Sequence, residues 1–262
     1  MTHLNNPCSF FTIITVVLND INGLIRTKTS LHEQIFRDFE WIVIDGKSTD
    51  GCLEFIERQK DELTKWISEK DSGIYDAMNK GIKLSSGNYI LFLNAGDTLF
   101  NEDTLMKIYM IIESQKINPD VLFGDSNYIF KNNKNIVRST KIIEEYIWHG
   151  LPANHQSTLY KRDIIINNLY DLKYKLCNDY YIISVLYQKG INVFYLDFVV
   201  SNFFVGGISL KLTKNLFWEP FKIQKEVLGT SFHKRLHSLF KRFYSTFALY
   251  LFYMYSQYSV KD

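Results

Sequence analysis

Ile90-Leu91-Phe92-Leu93-Asn94-Ala95-Gly96-Asp97 is an apolar run that ends abruptly in polar, glycine-containing sequence and a carboxylate. Such a run reads as a buried strand. It would deliver Asn94 and Asp97 to the C-terminal edge of a sheet, where open α/β sheets bind their ligands. Hard divalent cations prefer oxygen ligands, so a carboxylate at that edge suits a cation on a diphosphate. Asp97 also suits the cap of a following helix, with Thr98 opening the turn. The neighbouring stretches decide between the two.

Phe10 to Leu18 is β-branched and apolar, a candidate central strand. Asn19-Asp20-Ile21-Asn22-Gly23 breaks it, and Leu24 to Phe36 has near-helical apolar spacing. Glu40 to Asp45 is a second buried strand ending in an acid. Gly46 to Gly51 is a turn in which Ser48, Thr49 or Asp50 can cap a helix from Leu53 to Gln59. Lys65 to Glu69 is a short third strand; Asp76 to Leu84 is a helix stopped by Ser85-Ser86-Gly87. Strand and helix alternate, which predicts an α/β sheet that is largely parallel at its centre. Asp45, Asp71 and Asp97 each follow a strand signal, so all three are expected at one sheet edge.

Farther along, Asn101 to Ser114 reads as a helix and Val121 to Asp125 as a strand whose final acid caps a turn. Tyr128 to Arg138 reads as a hairpin or polar excursion, and His155 to Tyr160 as entry into another strand. Asn178 to Lys189 is a helix ended by Gly190, Ile191 to Val200 is a late strand, and the tail from Lys211 is helical.

A chain of 262 residues suits one large domain, or one domain with an appendage. Its 46% hydrophobic and 22% charged residues fit a globular protein with a core, and 16% aromatics is high. The net charge of +2 hides a polarity: nine Lys/Arg against three acids from Lys211 onward give +6, leaving −4 for the rest. Cys8, Cys52 and Cys177 lack metal-ligand spacing and read as free thiols in a reducing compartment. No basic segment precedes a long apolar core at the N-terminus, and apolar runs stop well short of the ~20 residues that span a bilayer. A cytoplasmic protein with peripheral membrane contact is expected.

Several chemistries lack their motifs. Gly46-Lys47-Ser48 lacks the upstream glycine of a phosphate loop, and no GxGxxG follows the first strand. Neither a GxSxG elbow nor a zinc-type His or Cys cluster is present. Acids at strand ends remain. Four ordered stretches carry them: Thr15-Val16-Val17-Leu18-Asn19, Asp45-Gly46-Lys47-Ser48-Thr49-Asp50-Gly51, Glu69-Lys70-Asp71-Ser72-Gly73-Ile74-Tyr75-Asp76-Ala77-Met78-Asn79-Lys80-Gly81, and Phe92-Leu93-Asn94-Ala95-Gly96-Asp97. In order and spacing these resemble a family 2 glycosyltransferase, most of all the bacterial enzymes that build O-antigen, capsule and exopolysaccharide units. The resemblance spans roughly residues 10 to 210 and is densest over the first hundred.

That resemblance implies an inverting, nucleotide-sugar-dependent enzyme with the GT-A fold. Its sheet would be α/β, Rossmann-like, mixed but mostly parallel, and flanked by helices. It implies a catalytic domain over residues 1–210, followed by a basic, aromatic helical region over 211–262. Thr15 and Asn19 would meet the nucleotide, and Asp45 would accept a hydrogen bond from uracil. Asp71 would lie near base and ribose, and Lys80 near the diphosphate. Asn94 stands where the family commonly has the first acid of its metal motif, and reaches ribose at most. Asp97 keeps the last acid, which holds Mn²⁺ or Mg²⁺. Asn178-Asp179-Tyr180-Tyr181 resembles the family's acid-Asp-Tyr motif and makes Asp179 the general base; the helix N-terminus favours its ionised form. His155, in the segment Gly150 to Ser157, faces acceptor or donor phosphate, or is structural. Gly206-Gly207-Ile208-Ser209 is either a flexible cover for the donor or an ordinary turn.

In the tail, Phe240, Phe243, Tyr244, Phe247, Tyr250, Leu251 and Tyr255 recur at helical spacing beside Lys234, Arg235, Lys241 and Arg242. The pattern suits a membrane interface, or packing on the catalytic domain. Nothing resembles a nucleic-acid module. The expected function is transfer of a hexose, glucose first and galactose second, from a UDP-sugar to a polyprenyl-diphosphate-linked saccharide, forming a β-linkage. The rivals are a nucleotidyltransferase, which would need a glycine- and lysine-rich loop after the first strand, and a non-catalytic protein on the same fold.

Overall fold

Apolar runs bounded by polar turns become parallel strands, and the segments between them become helices. The computed structural model describes residues 9–60, 62–132, 134–206 and 213–258. Its first half runs β1 (Phe11–Val17), α1 (Ile21–His32), β2 (Phe39–Asp45), α2 (Cys52–Arg58), β3 (Lys65–Ser68), α3 (Ile74–Leu84) and β4 (Tyr89–Phe92). Then come β5 (Thr98–Leu99), α4 (Thr104–Gln115), β6 (Val121–Ile129), β7 (Asn135–Arg138), α5 (Ile143–Tyr146), β8 (Thr158–Lys161) and α6 (Arg162–Ile166). The last elements are α7 (Asn178–Gln188), β9 (Val193–Phe204), α8 (Lys214–Glu226) and α9 (Phe232–Tyr258).

The strands form one mixed sheet in the order β3-β2-β1-β4-β8-β6-β9-β5, with β7 paired to β6. β1 pairs in parallel with both β2 and β4, and β2 with β3. The chain thus steps outward from β1 to β3, and α3 carries it back to place β4 on the other side of β1. Strand order reverses there, and the reversal opens a crevice at the C-terminal ends of β1 and β4. β8 then joins β4 antiparallel.

β1 is buried along its whole length, so both its faces are apolar. Ile14 and Val16 join one core layer with Met78 of α3, Ile183 of α7 and Ile223 of α8. Phe11, Ile13 and Val17 join the other with Leu24 of α1, Ile56 of α2 and Ile108 of α4. Gly81 lets α3 lie close on β1, because a Cβ there would stand 2.5 Å from Ile14 Cγ2.

Several elements differ from the sequence expectation. α1 starts three residues earlier than Leu24, because the Asp20 carboxylate caps it by accepting from Gly23 N–H at 2.9 Å. β6 does not stop at Asp125. It runs on through an irregularity there, pairing with β9, and forms a hairpin with β7. Asp125 still satisfies backbone, accepting from Thr140 N–H at 2.7 Å. His155 opens a 3₁₀ turn, His155–Ser157, and the strand begins only at Thr158. Asp97 caps no helix, since Thr98–Leu99 pairs instead with Ser201 and Asn202 of β9. Cys52 and Cys177 are buried free thiols, each pushed up to about 12, chiefly by burial; Cys8 lies outside the described residues. The expected boundary after residue 210 also lies outside them. No helix among the described residues is long and apolar enough to cross a membrane.

At the opposite sheet edge, Glu40 is 2% exposed. It accepts from Thr12 Oγ1 at 2.6 Å, Ser86 Oγ at 2.9 Å and the Ser86 and Gly87 N–H groups. Burial pushes its carboxyl pKa up, but these hydrogen bonds prevail and hold it below the ordinary 4.5. Glu40→Ala should cost about 3 kcal/mol by stranding buried donors. A depressed carboxyl pKa stabilises above its unfolded value and loses that contribution as pH falls. The gap between variant and wild type, measured by urea unfolding, should therefore narrow in acid. An equal gap at neutral and acid pH would refute the charge-dependent part.

Candidate active site

The ends of β1, β2 and β3 meet in one cluster of loops. Asn19 takes a left-handed backbone (φ 53°) and ties the turn after β2 to the end of β1. Its N–H donates to Ser48 Oγ at 2.8 Å, and its Oδ1 accepts from Thr49 N–H at 2.8 Å. Asp50 serves two helices, accepting from Ile21 N–H at 2.8 Å and Cys52 N–H at 3.2 Å. Asp45, fully buried at the end of β2, accepts from Ser68 Oγ at 2.6 Å and Ser48 N–H at 3.1 Å. Asp71 lies beside this turn: a Cβ on Gly46 would stand 3.1 Å from its Oδ2. Lys80 Nζ bridges Asp71 at 2.5 Å and Glu69 at 2.7 Å. Burial disfavours its charge, but the two acids outweigh that and hold its pKa above the ordinary lysine value. Asn19, Asp45, Asp71 and Lys80 are thus brought together. Thr15 stands apart: it is fully buried, and its hydroxyl accepts from Trp41 Nε1 at 3.0 Å.

The loop after β4 carries Asn94 and Asp97. Thr27 Oγ1 pins it from α1, donating to Asp97 O at 2.8 Å and accepting from Gly96 N–H at 3.0 Å. The Asp97 carboxylate accepts from Gln156 Nε2 at 3.0 Å and from Phe204 N–H. Burial pushes its pKa up to about 7; Gln156, Phe204 and Arg26 offset only part of that. Asn94 Nδ2 donates to His155 Nε2 at 3.0 Å. In a neutral imidazole that leaves the proton on Nδ1, which lies 3.4 Å from Asp179 Oδ2.

Asp179 is the second residue of α7. Tyr75, on α3, donates to its Oδ2 at 3.3 Å and to Leu176 O at 2.9 Å. Burial and the Asp179 charge raise the Tyr75 pKa well above the ordinary phenol, so it stays a donor. Oδ2 is therefore held twice, whereas Oδ1 is buried with no partner among the described residues. Oδ1 is therefore the carboxylate oxygen left free to take a proton. The chain Asn94–His155–Asp179–Tyr75 joins the loop after β4 to the start of α7 across the crevice.

A divalent cation takes oxygen ligands. Asp97 offers a carboxylate whose charge burial penalises, pushing its pKa up to about 7. A cation would relieve that penalty, so Asp97 fits one. No group of three or more His, Cys, Asp or Glu suited to a metal forms among the described residues, so phosphate oxygens would complete the shell.

Sequence reasoning missed Gln156, Tyr75 and Ser68 as site residues. Gln156 and Tyr75 stand in stretches that already carried His155 and Lys80, which was the available signal. Ser68 has none, since only the β2–β3 register puts it beside Asp45. Of the glycine segment after β9, residues from 207 lie outside the described residues.

Solved structures share this architecture. Staphylococcus aureus TarS (residues 1–349) with UDP-GlcNAc matches with a TM-score of 0.71 at 19% identity, over 90% of this chain and 72% of that one. The mannosyltransferase PcManGT from Pyrobaculum calidifontis, with GDP-Man and Mn²⁺, matches with a TM-score of 0.61 at 15% identity, over 93% and 76%. The fold is therefore that of GT-A-like glycosyltransferases. Among relatives by sequence, a PGL/p-HBAD biosynthesis glycosyltransferase of Mycobacterium tuberculosis is 29% identical over 215 residues, 76% of this chain and 78% of its own. An uncharacterized glycosyltransferase of the same organism is 39% identical over 94 residues, 36% of each chain. Residues 12–173 match the Glycosyl transferase family 2 profile, and the chain belongs to that family.

Proposed function

We propose that the protein moves a hexose from a UDP-sugar to a saccharide carried on a polyprenyl diphosphate, inverting to a β-linkage, during assembly of a bacterial surface polysaccharide. One observation carries this: Asn94, hydrogen-bonded to His155, and His155, 3.4 Å from Asp179, form a polar bridge across the crevice, from the loop after β4 to a carboxylate with one free oxygen. Asp45 and Asn19, with Thr15 behind them, form the uracil end. Asp71 and Lys80 lie toward ribose and diphosphate, and Asn94 toward the ribose. Mn²⁺ or Mg²⁺, held by Asp97, would offset the charge of the departing nucleoside diphosphate. Asp179 Oδ1 takes the proton of the acceptor hydroxyl as its oxygen bonds to the anomeric carbon and the C–O bond to the diphosphate breaks. Attack opposite the leaving group inverts the centre. Tyr75 and His155 hold Oδ2, so Oδ1 is the oxygen left for the proton.

Three observations support the partners. TarS was solved with UDP-GlcNAc and with UDP, which favours uridine, and PcManGT with Mn²⁺, which favours a divalent metal. On α9, the exposed Phe240, Phe243, Tyr244, Phe247, Leu251 and Tyr255 lie on one face, with Lys234 and Lys241 exposed nearby. That face suits peripheral contact with the inner surface of a cytoplasmic membrane, where a lipid-linked acceptor resides. UDP-glucose is the first candidate donor and UDP-galactose the second.

The test is release of UDP from UDP-glucose, UDP-galactose and UDP-N-acetylglucosamine, with GDP-mannose as control and a polyprenyl-diphosphate-linked sugar as acceptor. Turnover of a UDP-hexose to a β-linked product is expected. Turnover of GDP-mannose alone would overturn uridine recognition, and release of pyrophosphate from UTP and a hexose 1-phosphate in a parallel assay would point to the nucleotidyltransferase.

A further inference from the structure

The peptide N–H groups at the start of a helix have no intrahelical acceptors and need others. α7 begins at Asn178, and its cap residue, Cys177, supplies no side-chain hydrogen bond. For the cap residue's N–H and the two peptide N–H groups before it, the acceptor comes from far along the chain. Glu219, in the middle of α8, is 8% exposed. Its Oε1 accepts from Lys175 N–H at 2.8 Å, and its Oε2 from Leu176 and Cys177 N–H, each at 2.9 Å. Among the described residues Glu219 forms no ion pair, so the three peptide groups are its partners. A buried carboxylate so satisfied is costly to disturb.

Those three residues lead directly to Asp179. The Leu176 peptide is gripped on both sides: Glu219 takes its N–H, and Tyr75 donates to its carbonyl. The same Tyr75 hydroxyl reaches Asp179 Oδ2. Backbone and side chain of the base are thereby fixed in one frame. α8 is itself anchored by Ile223, which is fully buried in the layer beneath α7, and by Gln224, which donates to Ser238 Oγ of α9 at 2.7 Å. Arg242 of α9 donates to His149 O at 2.7 Å and stands over the ring of Tyr180, the residue after the base.

We propose that Glu219 is a positioning residue for Asp179, so that the C-terminal helix pair completes the active site. The inference rests on Asp179 being the base. Misplacement of a reacting group by about 1 Å can cost ~10²-fold in rate, while sites that hold the donor are untouched. Glu219→Ala removes both acceptor oxygens and strands all three N–H donors. Glu219→Gln keeps one oxygen for Leu176 and Cys177 but turns an amide donor toward Lys175 N–H.

The full chain carrying Glu219→Ala, Glu219→Gln or Asp179→Asn is assayed for UDP release with the most active UDP-sugar of the panel, and for UDP affinity by calorimetry. Expected is a fall in kcat of about tenfold or more for Ala and about threefold or more for Gln, in that order, with UDP affinity within about twofold. Smaller falls overturn the proposal, and so does UDP affinity falling in step with kcat. If the Ala variant does not fold, the Gln variant decides by the same limits. Full activity of Asp179→Asn would instead remove the base on which the proposal rests. A dead Asp179→Asn beside normal Glu219 variants would refute the positioning role alone.

Discussion

Asp179→Asn is expected to lower the rate of transfer by about 10²–10⁴-fold, the range a positioned general base contributes. UDP affinity should stay within about twofold. The substitution changes shape little: an amide oxygen can still accept from Tyr75, which now reaches Oδ2 at 3.3 Å. What is lost is the free oxygen. Oδ1 has no partner among the described residues, and an amide group in its place cannot take a proton at neutral pH. The proposed nucleotide end should not respond, because Asp45 ends β2, Asp71 lies in the loop after β3 and Lys80 stands on α3. Steady-state kinetics with calorimetry on UDP separates the two effects. Normal turnover by the Asn variant would show that another group takes the proton.

The second large effect is expected at Asp97. Chelation by EDTA should stop transfer, and Mn²⁺ or Mg²⁺ should restore it. Asp97→Asn should lower turnover by about 10²-fold or more even with metal present, since charge offset on a departing diphosphate is worth several kcal/mol. The fold should tolerate the change. An asparagine oxygen still accepts from Gln156 Nε2, and the loop remains pinned by Thr27. Removing a carboxylate that burial has pushed up to about 7 also relieves a desolvation cost. A melting temperature equal to or above that of wild type, with activity lost, is the expected pair of results. Full activity after exhaustive chelation would end the metal role.

The parallel half of the sheet was legible because its cause is local. Runs such as Phe11–Val17 and Phe39–Asp45 are apolar on both faces, and only a strand covered on both sides buries them so. The acids that end them follow the strands to the same edge. What escaped is non-local. Thr98-Leu99 becomes a strand because β9, a hundred residues later, offers it a partner. His155 sits in a 3₁₀ turn, which sends its ring to Asn94 and Asp179, and no local pattern marks that destination. Thr15 reads as a nucleotide neighbour, and no local pattern marks that Trp41 on the adjacent strand occupies its hydroxyl. Glu219 stands in a stretch of mixed charge, where it counts in the sequence only as one of the tail's three acids. Its partners are backbone groups of another segment, which carry no side-chain signature at all.

The crevice is assembled from two halves of the chain, with α4 between them. Residues through Asp97 furnish the proposed donor side, and residues from His155 onward furnish the proposed acceptor side. The side-chain pairs that cross the seam at the crevice include Asn94 to His155, Gln156 to Asp97, and Tyr75 to Asp179. A chimera spliced within α4 could therefore exchange one relative's acceptor half for another's while keeping its own donor. Retaining those pairs, together with a carboxylate at position 219, is the design rule that the geometry sets for such a graft.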